Sequence, residues 1–402
     1  MKNKKSNYLI FLTIWLLIIL PKVLQMPVLI IELIILIRNN GMKLKMRPVI
    51  FPIFIFSIIQ FFSVIFNFFQ GYGTDRIFAG LNTAITWFVG LTFMIIYSNI
   101  EIDVHKISKY LTINLTILNV FALISTILME FNIPLEIMGR RLYRLDWFLG
   151  TSTTRLMAFM EYPNLAMLFG LLLFPWMVYY LKDKNKILLI VSVLLSAYSI
   201  YLTKSRMGIL IVLAVLFYLI GIEFIKNFYL RYIFFSTIII IMLLMLSRMS
   251  DVTDTIVDII NGREGSTTAR EGLYSSSINI AINTHPLIGM GIKVMNPLYG
   301  VPYGSHSTYI GMIYKAGIIG ATIGFFGFLT IVVKLLSVSL KHKYAYFGFV
   351  YLAFFLTLVG EDLDGNNWLL SLAFSLIAII IFHMKEFNDE KKNKKHISEN
   401  LD

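Results

Sequence analysis

Four stretches carry residues whose types and spacing can do chemistry. Residues 151–164 read TSTTRLMAFMEYPN and place Arg155 and Glu161 just ahead of an apolar run. Arg155 can grip an anion and Glu161 can act as a base. The plain alternative is Ser/Thr capping of a helix, with Pro163-Asn164 turning the chain. Residues 202–208, LTKSRMG, join two apolar runs by so short a hairpin that Arg206 lies at their edge or slightly within it. An ionisable residue at such depth is costly and points to function, with snorkelling to head groups as the alternative. Residues 263–291, REGSTTAREGLYSSSINIAINTHPLIGMG, hold Arg263, Arg270 and His285. Thr268 with Glu271 makes a capping box and predicts a helix from there to about Asn283, ended by His285-Pro286 and the glycines. Arg270 then falls in the first turn, where free N–H groups and the guanidinium would converge on an anion. Arg263 shares that face only if the helix begins sooner. Residues 303–320, YGSHSTYIGMIYKAGIIG, put His306 where a long loop returns to an apolar run. There it can serve as a general base or orient an acceptor hydroxyl, unless it is a hydrogen-bonded surface group. Tyr309 follows, and Lys315 is a buried charge that needs a partner. Glu361, Asp362 and Asp364 cap the last hairpin; they are acidic enough to hold a cation or serve as a base, but read first as a solvated turn.

The elements that must position these residues follow from composition. Of 402 residues, 57% are hydrophobic and only 14% charged, with a mean hydropathy of +0.76. Soluble domains carry about 45–50% apolar and about 25% charged residues, so a soluble enzyme and a nucleic-acid binder are both excluded despite a net charge of +12. The chain has no cysteine, hence no disulfide, thiolate metal site or cysteine nucleophile. Apolar runs near 7–20, 23–37, 48–69, 77–98, 111–130, 165–181, 187–202, 207–225, 232–247, 308–333, 344–359 and 368–384 predict an all-α polytopic membrane protein. About twelve spans of roughly 20 residues would form one integral membrane domain over 1–402. The opening MKNKK and first run read as an uncleaved span, since no small-residue cleavage site follows. The first two runs, divided by Pro21-Lys22, form a tight hairpin or one broken helix. Residues 131–164 form an outer loop before span six, 248–307 a large, partly helical extracytoplasmic loop, and 385–402 a cytoplasmic tail.

Orientation follows from Lys and Arg in the connections. Lys-rich tails put both termini in the cytoplasm, and the cytoplasmic segments then hold 22 of the 35 basic residues. The split by type is sharper. Nineteen Lys and three Arg fall inside, whereas three Lys and nine Arg fall outside: Arg76, Arg140, Arg141, Arg144, Arg155, Arg206, Arg248, Arg263 and Arg270. Lys suffices as a topology signal, but Arg presents a planar fork that holds phosphate or carboxylate bidentately. Several outer arginines are therefore expected to bind an anionic substrate, and the others to pair with carboxylates such as Asp146, Glu264 and Glu271.

In order stand Arg-x5-Glu-x-Pro-Asn (Arg155 to Asn164), Ser-Arg-x-Gly (Ser205 to Gly208), Arg-x14-His-Pro-Leu-x-Gly-x-Gly (Arg270 to Gly291) and His-Ser-x-Tyr (His306 to Tyr309). This series resembles the O-antigen ligase/polymerase superfamily, the Wzy-like membrane glycosyltransferases of surface polysaccharide assembly. The motifs cover roughly 150–325, and the span layout covers the whole chain. Two positions depart: Ser307 stands where the family has Asn, and Tyr274 takes an aromatic position after the loop Arg.

The resemblance implies an enzyme of the bacterial cytoplasmic membrane that transfers a glycan from undecaprenyl pyrophosphate to an acceptor hydroxyl on the outer leaflet. It implies no cofactor, no metal and no nucleotide sugar. The implied partners are undecaprenyl-pyrophosphate-linked oligosaccharide, the lipid bilayer, and flippase and chain-length regulator proteins, with no nucleic acid. Under it His306, Arg270 and Glu161 are the catalytic candidates, and Arg155, Arg206, Arg263, Asn164 and Tyr309 the substrate-binding ones. Polymerase leads, ahead of ligase, then lipid-linked oligosaccharide flippase, then a non-enzymatic assembly protein. A transporter should show internal repeats and broken helices at the midplane; no repeat is visible, and the charges gather on the outer face.

Overall fold

The computed structural model describes residues 5–40, 45–148, 151–205, 208–209, 264–298, 300–342 and 344–385. Over these the chain is an all-α bundle with two small β-hairpins. Six helices are long and apolar enough to cross a membrane: Lys22–Asn40, Pro48–Phe68, Thr74–Tyr97, Val104–Glu130, Pro163–Leu181 and Thr308–Lys341. Four shorter apolar helices accompany them, Lys5–Ile19, Lys186–Leu202, Ala345–Thr357 and Asn367–His383. Together they coincide with ten of the twelve expected spans. The runs at 207–225 and 232–247 lie almost wholly outside the described residues, as do Arg206, Arg248, Arg263 and the tail beyond Lys385.

The first two helices, α1 (Leu9–Ile19) and α2 (Lys22–Asn40), are the tight hairpin of the two readings. Pro21 cannot continue a helix and holds Leu20 extended. Asn40 at the far end of α2 donates to Asn7 at 2.9 Å, which closes the pair. After them come α3 (Phe51–Phe68), α4 (Thr74–Tyr97) and α5 (Val104–Glu130). The sequence then predicts a capped helix start at 151–156, but the structure has a strand there. Four strands, β1 (Glu136–Ile137), β2 (Arg140–Arg141), β3 (Tyr143–Phe148) and β4 (Thr151–Leu156), pair as two antiparallel hairpins. Three β-branched threonines in TSTTRL, opposite the aromatic-rich YRLDWF, suit a pleated surface better than a helix.

The remaining helices are α6 (Pro163–Leu181), α7 (Lys186–Leu202), α8 (Glu264–Thr284), α9 (Thr308–Lys341), α10 (Ala345–Thr357) and α11 (Asn367–His383). α4 packs along α11, α3 along α9, and α5 along α6. The centre is aromatic: Trp87 meets Phe56 edge-on at 4.9 Å, with Phe374 at 5.9 Å and Phe328 at 6.1 Å. Such pairs contribute about 0.5–1.5 kcal/mol beyond their burial.

Contacts sort the connections into two ends. Tyr97 donates to the carbonyl of Asn7, Asn99 to that of Lys45, and His383 lies 2.9 Å from that of Tyr97. The start and the last described helix thus share an end with the Lys-rich connections, while the hairpins and 285–307 gather at the other. On this arrangement, in intact cells, an impermeant thiol reagent is expected to label Ser275→Cys but not Lys184→Cys; labelling of Lys184→Cys without permeabilisation would invert the orientation.

Candidate active site

The site end is built around a break in a span. The glycine-rich run from Thr308 is expected to be one continuous helix, yet Gly317 has φ 66° and ψ −171°, so α9 is two helical pieces. The loop after α8 fills the gap with its own backbone. Met290 and Gly291 donate to the carbonyls of Tyr314 and Lys315 at 2.7 and 3.0 Å, and Ile318 donates to that of Pro286 at 2.8 Å. These bonds satisfy the Tyr314 and Lys315 carbonyls and the Ile318 N–H freed by the break, which apolar surroundings demand. From the opposite side Ser63 and Asn67 of α3 donate to the Gly289 carbonyl at 2.9 and 3.3 Å. The HPLIGMG motif is therefore a wedge between α3 and the broken helix, not merely a helix stop.

The wedge fixes α8 beside the first turn of α9. α8 is already helical at Glu264, before the Thr268/Glu271 box, so Arg270 lies beyond its first turn and the expected helix-terminus anion site does not form around it. Instead Arg270 reaches the connection between α10 and α11. Its Nη1 donates to the Gly360 carbonyl at 3.3 Å, and Nη2 lies 3.9 Å from the Glu361 carboxylate. Tyr274, one turn later, donates to the His306 carbonyl at 2.7 Å. His306 has φ 62°, and Ser307 caps α9 by accepting from Ile310. Thr308 ties that end to the same connection, its N and Oγ1 reaching the Glu361 carbonyl at 2.9 and 2.8 Å. Tyr309 donates to the Phe355 carbonyl at 2.9 Å and so faces α10.

Glu361 departs from its first reading as part of a wet turn. The acidic turn is not solvated: Glu361, Asp362 and Asp364 are all buried. The Asn164 amide donates to Glu361 Oε1. Burial pushes the Glu361 carboxyl up to about 7, although Arg270, Asn164 and Arg155 all favour its charged form. The one available signal was position: acidic residues confined between two apolar runs must either cap a wet turn or find buried partners. Burial also moves His306, here below its ordinary value, and the Arg270 charge adds to the shift. At neutral pH the ring is therefore the free base.

The remaining candidates support this cluster. Arg155 is buried with its fork fully engaged: Nε to the Thr203 carbonyl at 2.8 Å, Nη1 to Asp146 at 3.2 Å, Nη2 to Asn164 at 2.8 Å. The β3/β4 register places Arg144 opposite Arg155, so Asp146 on the same face serves both arginines. Arg155 thus orients Asn164, which orients Glu361. A Lys ammonium gathers its donors on one nitrogen and cannot span Thr203, Asp146 and Asn164 as the planar fork does, and Arg155→Lys is expected to lower stability by about 3 kcal/mol, read as an earlier thermal transition in detergent. Glu161 lies apart from Arg270 in contacts: it accepts from Lys22 at 2.6 Å and Arg140 at 2.9 Å. Those pairs tie the α1–α2 junction to the outer hairpins and leave its carboxylate occupied. Arg141 pairs with Glu136 and Arg76 with Asp75, so among the described outer arginines Arg270 stands furthest from its carboxylate and is more exposed than Arg155.

Residues 191–325 match the family model described as O-antigen ligase. That match supports the resemblance to the O-antigen ligase/polymerase superfamily. No curated protein matches the chain. Members of the O-antigen ligase family are glycosyltransferase-like enzymes. The O-antigen ligase segment contains Arg270, Tyr274, His306 and Tyr309, and within it the wedge and the broken helix. Arg155, Asn164 and Glu361 lie on either side of it, so the site is completed by the outer hairpin and the last connection.

Proposed function

We propose that this protein is a polysaccharide polymerase of the bacterial cytoplasmic membrane, joining undecaprenyl-pyrophosphate-linked repeat units on the outer leaflet. The observation that carries the reading is the meeting of a neutral His306 and the accessible Arg270 guanidinium at one end of a membrane bundle. In the reaction an acceptor hydroxyl attacks the anomeric carbon of the donor glycan. The bond from that carbon to the phosphate oxygen breaks, and the pyrophosphate leaves on its lipid. Arg270 supports the charge gathering on the leaving oxygens. His306 takes the proton of the attacking hydroxyl. Glu361, fixed by Asn164, faces Arg270 and sets where its guanidinium rests when donor is absent. Arg206 and Arg263 would add to the anion site, and O-antigen, capsule or exopolysaccharide units all fit this chemistry.

Purified protein given pyrophosphate-linked repeat units alone is expected to yield a ladder of longer lipid-linked chains, without added metal or nucleotide sugar. Transfer only to a distinct added acceptor would make it a ligase. Movement of substrate across the bilayer without a new glycosidic bond would make it a flippase.

A further inference from the structure

Lys315 and Asp364 form a buried pair that the chemistry above does not use. Lys315 lies two turns into α9, and its Nζ donates to Asp364 Oδ1 at 2.6 Å. Both side chains are at most 3% exposed. Lysine side chains lean toward the N-terminal end of their helix, so this ammonium rises toward the connection between α10 and α11. Gly311, one turn above, keeps the way open: a Cβ there would come within 3.1 Å of Nζ and 2.7 Å of the Gly304 carbonyl. The second Asp364 oxygen accepts from Trp87 Nε1 of α4 at 2.6 Å. Asp362 stands on the same side, its Oδ1 3.7 Å from the ammonium. On the other side of the same connection Glu361 and the Gly360 carbonyl face Asn164 and Arg270, and the Glu361 carbonyl holds the start of α9 just after His306.

We propose that Lys315, Asp364 and Trp87 are positioning residues that clamp the 360–364 connection from within the bundle and so hold Arg270 and His306 in register. The inference rests on the reading of that pair as the reacting site. A buried ion pair is seldom the most stable filling of its space, because desolvating two charges offsets their attraction. A packed apolar pair would serve stability alone. What the ion pair adds is direction: a single short bond to one oxygen, with Trp87 fixing the other, leaves the turn one orientation. Misplacement of about 1 Å at reacting groups costs on the order of 10²-fold in rate.

The test uses full-length protein in detergent or vesicles, with turnover normalised to folded protein. Lys315→Met alone is expected to lower the folded yield, because Asp364 loses its bonded cation and keeps only the charge of Lys293 nearby. The double variant Lys315→Met with Asp364→Asn is expected to recover wild-type yield and thermal transition, yet to keep kcat about 30-fold down with donor KM within about three-fold. Trp87→Phe, which keeps the ring packing, should lower kcat several-fold, and Lys315→Arg, which keeps the cation, should retain most of the kcat that the double variant loses. A double variant that regains wild-type kcat with its fold would overturn the clamp, and so would a parallel rise of donor KM. Arg270→Lys and His306→Ala are assayed beside them. If those two turn over normally, the site reading fails by itself; if they are dead and the double variant is fully active, only the clamp fails.

Discussion

Gly317→Ala is expected to leave almost no folded protein. At φ 66° any L side chain is strained, by about 1–3 kcal/mol. A Cβ there would also meet the carbonyl carbon and oxygen of Leu287 at 2.4 Å and the Gly289 nitrogen at 2.6 Å. Those atoms are backbone and cannot swing aside. Relief requires the wedge to withdraw, which breaks the Met290, Gly291 and Ile318 hydrogen bonds and leaves polar groups bare inside an apolar bundle. The combined loss exceeds about 4 kcal/mol, a size seen only when such a feature fails. Gly324→Ala is the control. Its Cβ would meet the side chains of Phe56 at 3.0 Å and Met312 at 3.1 Å, which can shift for about 1 kcal/mol. Monodisperse yield in detergent and the thermal transition separate the two. Equal behaviour would mean that the wedge does not seat in the helix break.

The contrast between these glycines marks what the sequence could convey. The apolar runs announced ten described helices, and the Lys and Arg distribution sorted their ends, because both signals are additive along the chain. Arg270 and His306 stood out as candidates, since loop residues at the mouth of a bundle have few structural reasons to be charged, and the structure places both at one end of the bundle. Gly317, Gly320 and Gly324 looked alike as a small-residue stripe, whereas only Gly317 carries a break, and that depends on a loop about thirty residues upstream. Likewise Asp364 finds its cation in Lys315 and its second donor in Trp87, 277 positions earlier. The outer hairpins escaped notice for a different reason: TSTTRL supplies cap-forming hydroxyls and β-branched side chains at once, and only the facing strand decides between them. Pairings of this kind are fixed by the tertiary arrangement and leave no periodic trace.

The pH profile is expected to separate the two titrating groups of the site. His306 must be neutral to take a proton, and its value lies below the ordinary 6.5 because burial and Arg270 both oppose its charged form. Acidification should therefore protonate it only below the usual imidazole range. Glu361 is raised to about 7, so it gains its proton first, and the Arg270 contact weakens as pH falls through neutrality. Wild-type kcat/KM should accordingly decline in two steps on the acid side, one near pH 7 and one below 6.5. Glu361→Gln keeps the shape and still accepts from Asn164; it should lower the plateau and erase the upper step, leaving the lower one. Arg270→Gln removes the charge that depresses His306 and should move the lower step toward higher pH. His306→Ala should cost about 10²–10⁴ in turnover and erase the lower step, while lipid-linked units still bind and collect on the outer leaflet. An upper step that survives in Glu361→Gln would take that titration away from Glu361 and assign it to the neighbouring Asp362, whose carboxyl burial also raises to about 7. A lower step that survives in His306→Ala would take the proton acceptor away from the end of the long loop.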